Sequence, residues 1–202
     1  MTQSLMEYLD TPKAPAHGAD KYFGAVATGY DQKRQDDPKW QIEQEIIEAM
    51  LDGLPEGFVI LDAPCGTGRF FKKYIEKRFV ILGLDKSADM LHQAAQKVDP
   101  KKARGELRVG DVRNTGLPDK SVDCAVNVRI TRWLTPDECQ QMFREMQRVS
   151  RHFIIWTARV ENHPHARSRA LFEAALMPGW QIVRDVPGHE MAYRVLAAER
   201  VA

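Results

Sequence analysis

Val59-Ile60-Leu61-Asp62-Ala63-Pro64-Cys65-Gly66-Thr67-Gly68 is the stretch that decides how this chain is read. Phe58 to Leu61 is a short apolar run of the kind that forms a buried strand. The residues that follow are rich in turn formers, and 69–77 suits a helix. A strand that feeds a glycine-rich turn and then a helix is a nucleotide-binding arrangement. Gly66 and Gly68 permit positive φ and let a ligand approach the backbone closely. The helix start behind them offers free N–H groups and positive potential. Two common phosphate loops are excluded. The dinucleotide pattern Gly-x-Gly-x-x-Gly would need glycine where Phe71 stands, and no Gly-x-x-x-x-Gly-Lys-Ser/Thr occurs. The loop also opens on an acid, Asp62. An acid there repels a pyrophosphate and suits a ligand carrying an amino group.

Working outward, the same alternation recurs. Residues 79–84 form a second apolar run, closed by Asp85, and Ser87 can cap a helix over 88–98. Residues 107–109 lead to Asp111, and 122–128 make a fourth strand. Thr135-Pro136-Asp137-Glu138 is a capping box with proline at the first helical position, opening a helix to about 149. A fifth strand follows at 153–156, then a helix over 166–176. Strands at 180–186 and 191–197 are joined at Pro187-Gly188 with no helix between them. Upstream, Asp37-Pro38 starts a helix whose Ile42, Ile46, Ile47, Met50 and Leu54 recur at helical spacing, and Gly53, Pro55 and Gly57 end it. Strands alternating with helices imply an α/β fold: a Rossmann-like, doubly wound sheet of about seven mostly parallel strands. Helices cover both faces and an antiparallel hairpin closes the chain. Ligands bind such sheets at the C-terminal strand ends, beside the point where strand order reverses. The organisation read from this is a mobile tail over 1–20, a helical cap over 21–55 and a core domain over 56–202.

Composition narrows the function. The 202 residues carry a net charge of +1, with 44% hydrophobic and 28% charged residues. That is an ordinary soluble domain with no global pull toward nucleic acid or membrane. No signal-peptide core and no membrane-length apolar run is seen. Cys65, Cys124 and Cys139 are odd in number and far apart, which disfavours a disulfide scaffold and fits a cytoplasmic location. No metal site is expected, because His163-Pro164-His165 offers two ligands and no third.

The acids bring the strands to one ligand. Asp85, at the end of the second strand, can accept hydrogen bonds from both hydroxyls of a ribose. Asp111, at the end of the third, can meet an adenine amine. With Asp62, they surround a ligand that has an amino group, a ribose and a base. Here the sequence resembles the class I S-adenosylmethionine-dependent methyltransferases. The matching residues are Val59 to Gly68, the run Val80-Ile-Leu-Gly-Leu-Asp-Lys-Ser-Ala-Asp-Met-Leu91, Gly110-Asp111, and Leu117-Pro-Asp-Lys-Ser-Val-Asp-Cys-Ala-Val126. The resemblance implies that the loop backbone, from Asp62 and Ala63 through Pro64, Cys65, Gly66 and Gly68, holds the methionine part of S-adenosyl-L-methionine. It implies that Asp85 holds the ribose, that Lys86 and Met90 flank the adenine, and that Gly110, Asp111 and Val112 bind the adenine edge. Asn127 and Val128 complete the cofactor side. Pro64 stands where glycine is frequent, and Arg129, Arg132 and Trp133 replace small, apolar or histidine residues.

Tyr22 to Asp31 resembles the Tyr-Asp segment that covers the cofactor in small-molecule members of this class. Tyr22 and Tyr30 are therefore cofactor candidates, with Tyr30 placed against the sulfonium or the methionine part. Arg34 is a candidate for the methionine carboxylate. The aromatic residues serve equally well as packing anchors. Arg129, Arg132, Trp133 and Arg159 follow the fourth and fifth strands and are read as the acceptor side, where a cationic mouth favours a small carboxylate- or phosphate-bearing acceptor. Arg167 and Arg169 are read as salt-bridged surface, with Glu161 and Glu173 as partners. If the acceptor needs a base, His163 and His165 are the candidates.

The expected reaction is in-line displacement of methyl from the sulfonium, leaving S-adenosyl-L-homocysteine. Alternatives are transfer of the aminocarboxypropyl group, a non-catalytic cofactor-binding regulatory subunit, and a nucleic-acid methyltransferase. Near-neutral charge argues against the last. Pro64-Cys65 lies in the cofactor loop, so Cys65 is not a base-attacking nucleophile. No Asn/Asp-Pro-Pro-Tyr motif for adenine amines occurs. Either a monomer or a homodimer fits.

Overall fold

The computed structural model describes residues 22–98, 101–159, 169–191 and 193–201, and among these the side chains of Arg159 and Met191 are not described. Seven strands form one sheet: β1 (Val59–Asp62), β2 (Val80–Asp85), β3 (Arg104–Val109), β4 (Val122–Asn127), β5 (Ser150–Arg159), β6 (Trp180–Pro187) and β7 (Tyr193–Arg200). Their spatial order is β3-β2-β1-β4-β5-β7-β6. β1 to β5 pair in parallel. β7 runs antiparallel to both β5 and β6. The second strand of the closing hairpin therefore inserts beside β5, and the first becomes the sheet edge. Between them lies a 3-10 turn, His189–Met191, rather than a bare two-residue link.

Six helices are described: α1 (Ala25–Thr28), α2 (Pro38–Asp52), α3 (Phe71–Glu76), α4 (Ala88–Gln96), α5 (Pro136–Val149) and α6 (Arg169–Glu173). Three of the starts are chemically marked. Asp37 accepts from the Lys39 N–H with proline at the first helical turn of α2. Ser87 accepts from the Met90 N–H of α4, and Thr135 and Glu138 form the reciprocal capping box of α5.

The central strands β1, β2, β4 and β5 are largely buried on both faces, as crossovers demand. Ile60, Ile81, Cys124 and Ile155 point to one core with Ile47 of α2, Phe71 of α3 and Leu91 of α4. Their neighbours Leu61, Ala125, Ile154 and Trp156 point to the other, against Met142, Phe143 and Met146 of α5 and Phe172 of α6. This period-two division of adjacent residues places helices on both sides of the sheet. Strand order reverses between β1 and β4, so a crevice opens at their C-terminal ends. The chain approaches that crevice from outside through 22–36. The Tyr22 carbonyl accepts from Ser87 Oγ at 2.7 Å, and the Gly24 N–H donates to Asp89 at 2.7 Å.

Candidate active site

The glycine loop is fixed by backbone fittings to both neighbouring strands. The Ala63 N–H donates to the Val126 carbonyl and the Cys65 N–H to the Leu84 carbonyl, each at 2.9 Å. Gly66 and Gly68 have φ of 55° and 70°, the left-handed region that favours glycine. A side chain at Gly68 would meet Phe71 of α3 at 2.6 Å, so the loop and the following helix are in direct contact.

A pocket of about 1060 Å³, its open mouth included, lies over this loop. The three strand-end acids Asp62, Asp85 and Asp111 all line it, with Pro64, Cys65, Gly66, Lys86, Met90, Gly110, Val112 and Val128. Tyr22 and Tyr30 of the N-terminal segment, and Arg129 and Trp133 after β4, complete the expected residues that reach it. Others stand back. Asn127 is fully buried, its amide donating to the Ala63 carbonyl at 2.6 Å, so the two support the loop from behind. Gly68 packs on α3. Arg34 lies over the Tyr30 ring at 3.6 Å and donates to the Tyr30 carbonyl, outside the pocket lining. Arg132 also lies outside the lining and stacks on Trp133 at 4.4 Å. His163, His165 and Arg167 fall outside the described residues, and Arg159 is described in its backbone alone. Arg169 pairs with Glu173 and Asp185, the surface role expected of it.

The acids are in distinct electrostatic states. Burial pushes Asp62 up to about 8, while a Tyr74 hydroxyl donating at 3.2 Å works in the opposite sense. Burial raises Asp85 to about 6, opposed by N–H donation from Ser87 and Gly66 at 2.8 and 2.9 Å. Burial opposes ionisation of Asp111 too. Arg113, which grips it side-on, and Lys86 at 2.9 Å outweigh that effect and hold its carboxyl below the ordinary range. Burial drives the Cys65 thiol well above its usual value, consistent with an inert wall residue. Among the described residues no cluster of three or more His, Cys, Asp or Glu is arranged to hold a metal.

Trp40, Thr67, Arg69, Phe70, Leu84, Ile130 and Leu134 also line the pocket and were not anticipated from the sequence. The missed signal sits on α2. Glu43, Ile47 and Leu51 are its buried residues, spaced by four, so an acid occupies the inward stripe. Glu43 pairs with Arg69, which directly follows Gly68, and with Arg129. Tyr22, Tyr30, Trp40 and Trp133 form edge-to-face contacts in series, with ring centres 5.8 to 6.3 Å apart. Aromatic rings thus line the pocket side that faces away from the strand ends.

A glycine loop at a strand-order reversal, three strand-end acids around one pocket and a β5-β7-β6 antiparallel close define the class I methyltransferase architecture. Residues 60–152 match the family model described as a methyltransferase domain. Over this stretch the chain resembles the class I S-adenosylmethionine-dependent methyltransferases in sequence, and its whole sheet has their fold. The magnesium protoporphyrin IX methyltransferase of Synechocystis PCC 6803, solved with bound SAM, superposes with a TM-score of 0.73 at 20% identity. It covers 94% of this chain and 100% of that one, a likeness of fold. The malonyl-[acyl-carrier protein] O-methyltransferase of Yersinia pestis is 34% identical over 97 residues, which are 47% of this chain and 33% of that protein. An 18S rRNA (guanine-N(7))-methyltransferase of Arabidopsis thaliana is 32% identical over 91 residues, 45% of this chain and 29% of that protein. The chain thus spans about a third of the length of these curated relatives. Among the described residues no helix is long and apolar enough to cross a membrane.

Proposed function

We propose that the protein transfers the methyl group of S-adenosylmethionine to a small acceptor bearing a carboxylate. The observation that carries the first half is the set of three acids closing β1, β2 and β3 around one pocket. Asp62 and Asp85 are buried and form no ion pair among the described residues, so a ligand that brings an ammonium and ribose hydroxyls relieves their cost of burial. Asp111, ionised and pinned by Lys86 and Arg113, is a fixed acceptor for an adenine amine.

The second half rests on the opposite wall. Tyr22, Ile130, Trp133 and Leu134 give it an apolar and aromatic surface, and Arg129 gives it charge. Arg132 stands beside that wall, its Nε buried with no hydrogen-bond partner among the described residues. Such a surface favours an acceptor with an apolar body and one anionic group. A carboxylate oxygen attacks a sulfonium methyl without prior deprotonation. The chain's part is then to align the two groups and exclude water, which can supply roughly 7–11 kcal/mol. Burial raises Tyr30, so its phenol stays protonated and acts as a donor rather than a base.

Two measurements test this reading. Calorimetry should show S-adenosylhomocysteine binding, with loss on Asp85→Ala. Incubation with methyl-labelled cofactor and separate metabolite, RNA, DNA and protein fractions should label metabolites. Label in RNA would transfer the assignment to a nucleic-acid acceptor, and label nowhere would favour a binding subunit.

A further inference from the structure

Glu43 is 1% exposed, and its Oε2 accepts from both Arg69 Nη1 at 2.6 Å and Arg129 Nε at 2.5 Å. The two guanidinium groups also lie over the Trp40 ring, at 3.6 and 4.8 Å from its centre. They differ in what remains of them. Arg69 is spent: its Nε donates to Gln44 at 2.6 Å and its Nη2 to the Trp40 carbonyl. Arg129 is engaged through Nε alone, and neither of its Nη groups has an acceptor among the described residues. Arg129 lines the pocket. Its backbone is also unusual, with φ of 62° and its N–H donating to Thr157 Oγ1 at 2.8 Å. A non-glycine residue keeps that conformation where its surroundings impose it, and such positions concentrate at ligand sites.

Charge counting narrows the ligand. Two guanidinium groups share one carboxylate, so the cluster holds one uncompensated positive charge beside the pocket. A guanidinium fixed at Nε leaves its paired Nη edge for a planar, two-oxygen monoanion. We infer that Arg129 is a carboxylate-binding residue of the pocket and that Glu43 is the positioning residue that aims it. The inference rests on the methyltransferase reading and deepens it. The carboxylate belongs either to the methionine part of the cofactor or to the acceptor.

The experiment compares the wild-type chain with Glu43→Gln, Arg129→Leu and Arg129→Lys. Calorimetry measures S-adenosylhomocysteine and 5′-methylthioadenosine, which lacks the amino acid part. The protein loaded with S-adenosylhomocysteine is then titrated with sodium benzoate, with benzyl alcohol as the uncharged control. If the carboxylate is the cofactor's, Glu43→Gln and Arg129→Leu weaken S-adenosylhomocysteine by roughly tenfold or more and leave 5′-methylthioadenosine unchanged. If it is the acceptor's, both nucleosides bind normally and benzoate binding is lost, while benzyl alcohol is unaffected. In either case Arg129→Lys restores part of the loss, keeping the charge without the fork. An equal fall for both nucleosides overturns the inference, since the pair would then hold only the pocket's shape. So does unaltered binding of all the probes. A wild-type chain that binds neither nucleoside overturns the methyltransferase reading itself, and this inference with it.

Discussion

The two sides of the pocket are built by different means. The side at the strand ends is assembled largely from backbone: the Ala63 and Cys65 N–H groups donate to the carbonyls of Val126 and Leu84, and the Gly66 N–H donates to the nearby Asp85 carboxylate. The facing side is assembled from side chains that reach across the chain. Glu43 and Arg129 are 86 residues apart, and the aromatic series joins Tyr22 to Trp133. Backbone fittings constrain a site without naming side chains, so that half is recognisable in many sequences. Side-chain fittings depend on particular pairs, so the other half is read only once those pairs are seen together.

Asp85→Ala should break the first half most sharply. It removes the acceptor for the Gly66 and Ser87 N–H groups as well as the candidate ribose contact. The expected loss in S-adenosylhomocysteine affinity is at least roughly tenfold, the scale of one hydrogen bond to a charged group. Calorimetry with unchanged affinity would remove Asp85 from the site.

Acidity gives the next effect. Burial raises Asp62 from 3.8 to about 8 and Asp85 to about 6. The folded chain thus retains protons that the unfolded chain has already released. Stability is therefore highest in acid for these two groups and is lost as pH rises toward each folded value. Between about pH 6 and pH 8 the decline is mainly that of Asp62. The thermal midpoint of the ligand-free protein should fall over that range, by roughly 2–4 °C per kcal/mol lost. Asp62→Asn should flatten the fall, and a midpoint that instead rises with pH in the native chain would contradict the burial argument. Asp111 has the opposite sign, and its contribution is lost only in acid.

Arg132→Ala addresses the facing wall. It should raise the acceptor KM several-fold, less than the roughly tenfold or more that losing a full charged hydrogen bond would cost because Arg132 stands outside the pocket lining, and spare cofactor affinity. The reverse pattern in steady-state kinetics would place Arg132 with the cofactor. The smallest change is expected at the seam between the halves. Asp31 accepts from Thr67 Oγ1 at 2.7 Å and pairs with Lys97, but it is 42% exposed. Asp31→Ala should speed release of S-adenosylhomocysteine by about two- to fivefold at low salt, and less at high salt, as exposed pairs do. Stopped-flow release rates insensitive to both the substitution and salt would show that the latch is idle.

The parts legible in the sequence are those fixed by neighbours along the chain. Ser87, Thr135 with Glu138, and Asp37 with Pro38 marked helix starts because a cap acts within one turn. The strand ends carried their acids because a crossover turns immediately after them. Non-local choices were hidden. Nothing in 191–197 says that β7 prefers β5 as a neighbour on its other side, since strand partners are chosen by faces that meet only after folding. Glu43 broke the apolar stripe of α2 in plain view. Its meaning needed Arg69 and Arg129, and no period within a helix points to them.

The shared acid has a consequence for descent as well as for binding. Glu43 reaches the chain through α2, Arg69 through the glycine loop and Arg129 through the turn after β4. A chimera that takes its first 55 or so residues from a relative leaves two guanidinium groups facing a foreign side chain, one of them buried, and a lone charge there costs several kcal/mol. Exchange of the N-terminal segment is therefore not a modular route to a new acceptor. Change in one of these three residues has to travel with change in the other two.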